Sequence, residues 1–169
     1  MFKSLQKCFA TIRRKIERVS RLNGAVVAVT ASEAAQLSLR VLAIQEGWRI
    51  LFARTLESAL QLRDASSIVV ILYDQNLPNA DWRTSLSALV QSSKPVFFIL
   101  LCPVPQDRVW RSVLDGGGFA VSRWPVGADH VTGIVNEAFA LAAAVDECPA
   151  ALDSRPLDIS ERRPQTHSR

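Results

Sequence analysis

Residues 67–81 read SIVVILYDQNLPNAD, and this stretch decides the fold because an apolar run ends abruptly at an aspartate and a turn. The run Ser67–Tyr73 predicts a strand, and its lack of alternation is typical of a parallel sheet covered on both faces. Asp74 follows directly, so its carboxylate is expected at the carboxyl edge of the sheet, where ligands bind in such folds. A strand-end aspartate that caps the following turn is an equally good interpretation of this spacing.

Strands and helices alternate on both sides of this stretch, with short connections between them. The other predicted strands are Ala25–Thr30, Trp48–Ala53, Pro95–Leu101 and Phe119–Ser122. The predicted helices are Glu33–Glu46 after an N-cap at Ser32, Thr55–Asp64, Trp82–Gln91, Asp107–Leu114 and Ala128–Val145. This alternation predicts an α/β fold with a five-stranded parallel sheet in the flavodoxin-like, doubly wound order 2-1-3-4-5.

The two ends of the chain differ in composition from the domain predicted for residues 24–145. Residues 1–23 predict a basic amphipathic helix, with seven Lys or Arg against one Glu within residues 1–21. Its apolar residues recur at intervals of three and four: Phe2, Leu5, Phe9, Ile12, Ile16 and Val19. Residues 146–169 are rich in Pro, Ser and Arg and predict a disordered tail.

The N-terminal helix has three interpretations, because a basic amphipathic helix can bury its apolar side in several ways. We place docking on a protein partner or on the domain first, together with homo-oligomerisation through residues 1–22. Contact with an anionic membrane surface comes second. Contact with nucleic-acid phosphates comes third.

Several classes of protein are disfavoured by the composition. Cys8, Cys102 and Cys148 are far apart and the chain has only two histidines, so a disulfide framework or a zinc site is not expected. No run of 18 apolar residues, Walker loop or G-x-G-x-x-G motif is present. We therefore expect a cytoplasmic protein without a membrane span.

The order of the motifs resembles the receiver domain of bacterial response regulators. The pattern Asp74-x-x-Leu77-Pro78-x-x-Asp81 is similar to the segment around the phosphoacceptor aspartate of that family, although Trp82 stands where receivers usually have Gly. Gly47, Gly116–Gly118 and Arg123-Trp124-Pro125 also lie where receivers have corresponding features, over residues 24–145. The resemblance implies a signalling module of phosphorelay, or two-component, signal transduction rather than an enzyme.

The resemblance also shows which pocket residues differ from the family. Receivers usually carry two acidic residues after the first strand, where this chain has Thr30 and Ala31, with Glu33 two positions further on. A Ser or Thr after the fourth strand is replaced by Cys102, and a Lys before the proline after the fifth strand is replaced by Trp124, with Arg123 beside it. Only Asp74 is retained in kind.

These departures imply a degenerate receiver in which Asp74 is phosphorylated weakly or not at all, because magnesium needs several hard oxygen ligands. We expect no cofactor, although weak magnesium binding stays open if Glu33 reaches back into the pocket and Arg123 takes the place of the lysine. Cys102 is expected to be a buried, inert thiol, and Trp124 to fill space. No catalytic residue and no metal ligand are assigned.

The resemblance implies a protein partner, either a signalling kinase or a downstream protein, and no DNA-binding domain is expected. Two alternatives remain at this stage. One is a small α/β enzyme that uses Asp74 in the crevice at the switch point of the sheet. The other is a scaffold that acts through the basic N-terminal helix.

Overall fold

The computed structural model describes residues 25–66, 69–92, 96–125 and 128–147 as alternating strands and helices. The strands are β1 (Ala25–Val29), β2 (Ile50–Ala53), β3 (Val69–Asp74), β4 (Val96–Cys102) and β5 (Ala120–Arg123). The helices are α1 (Glu33–Glu46), α2 (Leu56–Asp64), α3 (Trp82–Val90), α4 (Asp107–Asp115) and α5 (Ala128–Glu147). The predicted N-terminal helix of residues 1–23 and residues 148–169 of the predicted tail lie outside the described residues, whereas Asp146 and Glu147, which were predicted to belong to the tail, are part of α5.

All four strand pairs are parallel and the strand order is β2-β1-β3-β4-β5. The predicted flavodoxin-like order is therefore confirmed. The central strand β3 lies between β1 and β4, with Val70 opposite both Val26 and Phe97. Its apolar sequence follows from this position, because both faces of the strand are covered by helices.

The helices begin and end where short polar side chains and a glycine satisfy the backbone. The Ser32 hydroxyl accepts a hydrogen bond from the Ala35 amide at 3.3 Å and caps α1. Gly47 ends this helix in the left-handed region, with φ of 73°, a conformation that costs a glycine little. Thr55 and Ser58 form a capping box at the start of α2.

The sheet separates two hydrophobic cores, because successive side chains of a strand point to opposite faces. One core joins α1 and α5 to Val26, Ala28, Val70, Leu72, Ile99 and Leu101. The other joins α2, α3 and α4 to Val27, Val29, Ile71, Tyr73, Phe98, Leu100 and Cys102. This alternation also fixes the side on which each residue at the carboxyl edge can act.

Buried polar groups on the side of the sheet covered by α2, α3 and α4 have hydrogen-bond partners. The Tyr73 and Ser85 hydroxyls lie 2.8 Å apart and form a hydrogen bond that ties β3 to α3. The Arg63 guanidinium donates to the carbonyls of Ala88 and Leu89 at 2.9 and 3.2 Å. These carbonyls belong to the last turn of α3, where helix carbonyls have no partner within the helix. Arg63 therefore holds the end of α3 against α2.

Candidate functional site

Asp74 ends β3 at the carboxyl edge of the sheet, as the sequence predicts. Its Oδ2 atom accepts a hydrogen bond from the Thr30 hydroxyl at 2.7 Å. Its Oδ1 atom accepts a hydrogen bond from the Asn76 amide at 3.0 Å. The side chain therefore caps its own turn and also lies at the carboxyl edge of the sheet.

Thr30 connects the end of β1 to this aspartate. The residue is only 1% exposed. Besides donating to Asp74, its hydroxyl oxygen accepts a hydrogen bond from the Ser32 amide at 3.2 Å. The Gln36 side-chain amide donates to the Thr30 carbonyl at 3.1 Å. The loop between β1 and α1 is thus fastened around a neutral hydroxyl at the position where receivers usually place an acidic residue.

A groove with a volume of about 650 Å³ lies in front of Asp74. Small and apolar residues dominate its lining, and Asp74 is the only ionisable group among the described lining residues. The lining residues are Ala31, Ser32, Ala34, Ala35, Ser38, Asp74, Asn76, Pro78, Leu101, Pro103, Trp124 and Pro125. A groove of this size is comparable to ligand-binding clefts, although its charge is unlike that of a metal site.

Trp124 both lines the groove and packs in the hydrophobic core. It is 8% exposed and packs with the α1 and α5 core. Its amide donates to the Cys102 carbonyl at 3.0 Å, which continues the β4–β5 pairing by one residue. The Trp124–Pro125 peptide bond is cis. An indole therefore stands where the resemblance places a lysine ammonium.

Three residues assigned to the pocket from the sequence do not line the groove. Cys102 is fully buried on the opposite face of the sheet, in the core with Tyr73. Glu33 points outward with its side chain 86% exposed and lies 3.5 Å from the Arg54 guanidinium. Arg123 is exposed at the end of β5. The structure thus brings Thr30, Ala31 and Trp124 to Asp74, and leaves the other three outside the groove.

The thiol of Cys102 is in a setting that disfavours its ionisation. Burial raises the pKa of the thiol above its ordinary value, and the positive charge of Arg123 opposes this effect only in part. A thiol is a nucleophile as its thiolate. The environment therefore agrees with the predicted inert role.

Leu101 was not selected by sequence reasoning, yet it faces the groove beside Asp74. In the β3–β4 register Asp74 pairs with Leu101, so their side chains share one face of the sheet. Counting residues from Asp74 alone cannot reveal this pairing, because the register between strands decides it. The sequence of β4, which has no polar residue in Val96–Cys102, could have indicated that this strand contributes an apolar side to the groove.

The donor set of the groove does not fit magnesium. Within the described parts of the chain, no group of three or more His, Cys, Asp or Glu residues could hold a metal ion. Asp74 is the one carboxylate among the lining residues that the structure describes, and both of its oxygens already accept hydrogen bonds. Magnesium demands near-octahedral oxygen ligands, usually with carboxylates among them. The residues at this edge therefore provide too few hard donors.

Asp81, the last residue of the receiver-like pattern, forms hydrogen bonds at the start of the helix that follows it. Its carboxylate accepts hydrogen bonds from both the amide and the hydroxyl of Thr84 at 3.1 Å and caps α3. These hydrogen bonds, chiefly that from the Thr84 amide, lower the pKa of Asp81 below its ordinary value. Next to it Trp82 is buried, and the Arg83 guanidinium lies 4.3 Å from the centre of its ring.

The fold is similar to that of solved receiver domains. A signal receiver domain of an HD domain-containing protein from Pseudomonas fluorescens Pf-5 has 20% identity, with 75% of this chain and 93% of that chain covered and a TM-score of 0.66. The receiver domain of Ssk1 from Saccharomyces cerevisiae, crystallised with the histidine phosphotransfer protein Ypd1, has 16% identity, 72% and 92% coverage, and a TM-score of 0.64. The beryllofluoride-activated NtrC4 receiver domain dimer has 19% identity, 70% and 98% coverage, and a TM-score of 0.63.

Neither family models nor curated proteins match this chain. The likeness therefore rests on structure, at identities of 16–20% for these three, and it establishes the fold. The described residues also include no helix long and apolar enough to cross a membrane.

Proposed function

We propose that this chain is a degenerate receiver: a cytoplasmic signalling module of two-component signal transduction that acts by protein–protein contact. Asp74 stands at the phosphoacceptor position but is phosphorylated weakly or not at all, and the module is not an enzyme. The observation that carries the proposal is the 2.7 Å hydrogen bond from Thr30 to Asp74 within a receiver fold. This hydrogen bond occupies one carboxylate oxygen of Asp74, and Thr30 places a neutral side chain where receivers usually have an acidic one.

Phosphoryl transfer needs positive charge around the oxygens of the transferred group. The described lining of the groove contains no Lys or Arg, and Arg123 is exposed outside it. Trp124 presents an indole instead of an ammonium group. The barrier to phosphorylation of Asp74 is therefore expected to be far higher than in a receiver with metal and lysine.

A protein partner is part of the proposal because similar folds are found in complexes. One of the similar receiver domains was crystallised with a histidine phosphotransfer protein, and another forms a dimer. The alternative of a small enzyme gains no support from the groove. Apart from Asp74 and the Trp124 indole, the polar side chains in its described lining are hydroxyls and an amide, and the Ser38 hydroxyl already donates to the Ala34 carbonyl at 2.9 Å.

The test is incubation of the full chain with a small acyl phosphate donor and magnesium, followed by intact-mass spectrometry. A receiver with the usual acidic pocket serves as the positive control, and the Asp74→Asn variant as the negative control. We expect at most a small fraction of this chain to carry a phosphoryl adduct under conditions that fully modify the control receiver. A stoichiometric adduct that Asp74→Asn abolishes would overturn the proposal of a degenerate site.

A further inference from the structure

Helix α1 carries an apolar stripe on the side that faces away from the core. We call Ala34, Leu37, Val41 and Ile44 the α1 stripe; all four are exposed, and Leu37, Val41 and Ile44 are 64%, 48% and 75% exposed. The core-facing residues Leu39, Leu42 and Ala43 lie on the opposite side of the same helix. Charged and polar residues normally cover the outer side of a surface helix. An apolar stripe in this place indicates a surface that another element covers.

The N-terminal segment, residues 1–22, which we call the arm, has the matching pattern. Phe9, Ile12, Ile16 and Val19 are separated by three, four and three residues. Ala34, Leu37, Val41 and Ile44 are separated by the same three, four and three residues. Two helices with such stripes can pack side by side. In a parallel arrangement the constant offset would place Ile12 beside Leu37, Ile16 beside Val41 and Val19 beside Ile44.

The place where the arm joins the domain allows this pairing within one chain. The arm leads into Ala25 at the amino edge of the sheet, and the next residue, Val26, donates its amide hydrogen bond to the Arg49 carbonyl at 2.9 Å. Arg49 comes three residues after the end of α1. Ala25 therefore lies near the end of α1, and an arm that is helical up to this edge of the sheet would run parallel to α1.

The connecting segment is long enough to reach the outer side of α1. Five residues separate Val19 from Ala25, and when extended they span about 20 Å. A helix is about 10 Å thick, and a second helix packs with its axis about 8–10 Å further out. The required distance is close to the available reach, so the inference requires the helical part of the arm to end near Val19, before the end at residue 23 that the sequence pattern predicts.

Charge favours α1 over a second arm as the partner. Pairing two arms would bring together two segments that each carry seven Lys or Arg and one Glu. Helix α1 carries Glu33, Glu46 and Arg40, and the Arg40 guanidinium lies 5.4 Å from the centre of the Phe52 ring. Like charges next to the seam of a coiled coil oppose association, and α1 presents few of them to the arm.

We infer that residues 9–19 of the arm pack in parallel on the α1 stripe of the same chain and cover it. This packing would bury an apolar face of the domain, and as a contact between the arm and the domain it goes beyond the proposed signalling function. The inference does not depend on whether Asp74 is phosphorylated.

Hydrogen exchange of the full-length chain tests the packing directly. Val41→Glu places a charge in the middle of the α1 stripe, and Leu114→Glu is the matched control, because Leu114 is 51% exposed on α4 in a different part of the domain. We expect amide exchange in residues 9–19 to become about tenfold faster in Val41→Glu and to stay unchanged in Leu114→Glu. Equal exchange in both variants and in the unmodified chain would overturn the inference.

Disulfide trapping tests the register and separates one chain from two. In a background with Cys8→Ser and Cys148→Ser, we expect dilute Ile16→Cys/Val41→Cys protein to form an intrachain disulfide, because paired residues of a seam lie within the range that a disulfide can bridge. The control Arg14→Cys/Val41→Cys should not link, since residue 14 is on the other side of the arm. An interchain disulfide, an equal yield in the control, no linkage, or preferential linkage of Phe9→Cys/Ile44→Cys would each overturn the inference.

Discussion

Replacing Thr30 and Ala31 together by Asp should convert the groove into a magnesium site. Thr30 already lies 2.7 Å from Asp74 through its hydroxyl, and Ala31 lines the groove. Two carboxylates at these positions would therefore point toward the carboxylate of Asp74. Three carboxylates at one edge form the kind of oxygen cluster that a divalent cation can bridge.

The magnitude has two parts of opposite sign. Without metal, the variant loses a hydrogen bond to a carboxylate, which contributes about 1.5–3 kcal/mol. Carboxylates about 4 Å apart also repel each other by about 4 kcal/mol for a fully ionised pair at an effective dielectric constant of about 20, and uptake of a proton by the cluster limits the total cost. These losses are a large part of a typical unfolding free energy of about 5–15 kcal/mol. The metal-free variant is therefore expected to melt well below the unmodified chain.

Magnesium should restore part of this loss. At about ten times its dissociation constant, a ligand that binds only the folded state adds about 1.4 kcal/mol to the unfolding free energy. For a domain of this size, that gain corresponds to an increase in Tm of about 5 °C. The assay is a thermal melt with and without millimolar magnesium at matched ionic strength.

The matched control for this experiment replaces Thr30 and Ala31 by Asn, which is close to Asp in size but has no charge. We expect the Asp variant alone to respond to magnesium, with no response from the Asn variant or the unmodified chain. The same Tm change in all three proteins would show that the effect is not from the groove. No response in the Asp variant would refute the placement of Thr30 and Ala31 at the acidic positions.

Three further predictions concern the core. Val70→Asp buries an unpaired charge at a position that is 0% exposed. It should abolish the cooperative melt, because the free-energy cost of burying the charge approaches the stability of a whole domain. A soluble variant that melts cooperatively would refute the central position of β3. Tyr73→Phe leaves the Ser85 hydroxyl without its 2.8 Å partner and should lower the unfolding free energy by about 1–2 kcal/mol, whereas Ser85→Ala added to it should cost less than the sum of the single changes. Burial raises the pKa of the Cys102 thiol. The folded state therefore holds the thiol proton more tightly than the unfolded state does, and the unfolding free energy should fall as the pH rises above the ordinary thiol pKa. A Cys102→Ala variant whose unfolding free energy has the same pH dependence in that range as the unmodified chain would contradict this.

The fold followed from the sequence because its strands are apolar runs with clear ends. Each run is short, and the helices between them begin at polar caps such as Ser32 and Thr55. The order 2-1-3-4-5 was then the leading topology for parallel strands with right-handed crossovers. Periodicity and capping are local properties of the chain, so they can be recognised without knowing which elements meet.

The ends of the elements were harder to predict because contacts between elements decide them. The second strand was predicted from Trp48, but β2 begins at Ile50. Trp48 is instead buried, and its indole nitrogen donates to the Asn136 side chain at 3.2 Å, in α5. Nothing near Trp48 in the sequence indicates a partner 88 residues away.

The site was predictable only in part, for a related reason. Thr30, Ala31, Asp74 and Trp124 come together because each follows or ends a strand at the same edge. Cys102 also ends a strand, but the β3–β4 register pairs Asp74 with Leu101 and turns Cys102 to the other face. A shift of one residue in register exchanges the two faces of a strand, and the sequence of a uniformly apolar strand does not define that register.

The most direct test of the account is a magnesium titration of the unmodified full-length chain, followed by backbone amide NMR shifts. We expect no saturable shift at Ala31, Asp74 or Asn76 up to millimolar magnesium, because the described lining of the groove offers one carboxylate, whose oxygens accept hydrogen bonds from Thr30 and Asn76. Saturable shifts at these amides that Asp74→Asn abolishes would contradict it, and they would show that the groove holds the metal on which phosphoryl transfer to Asp74 depends.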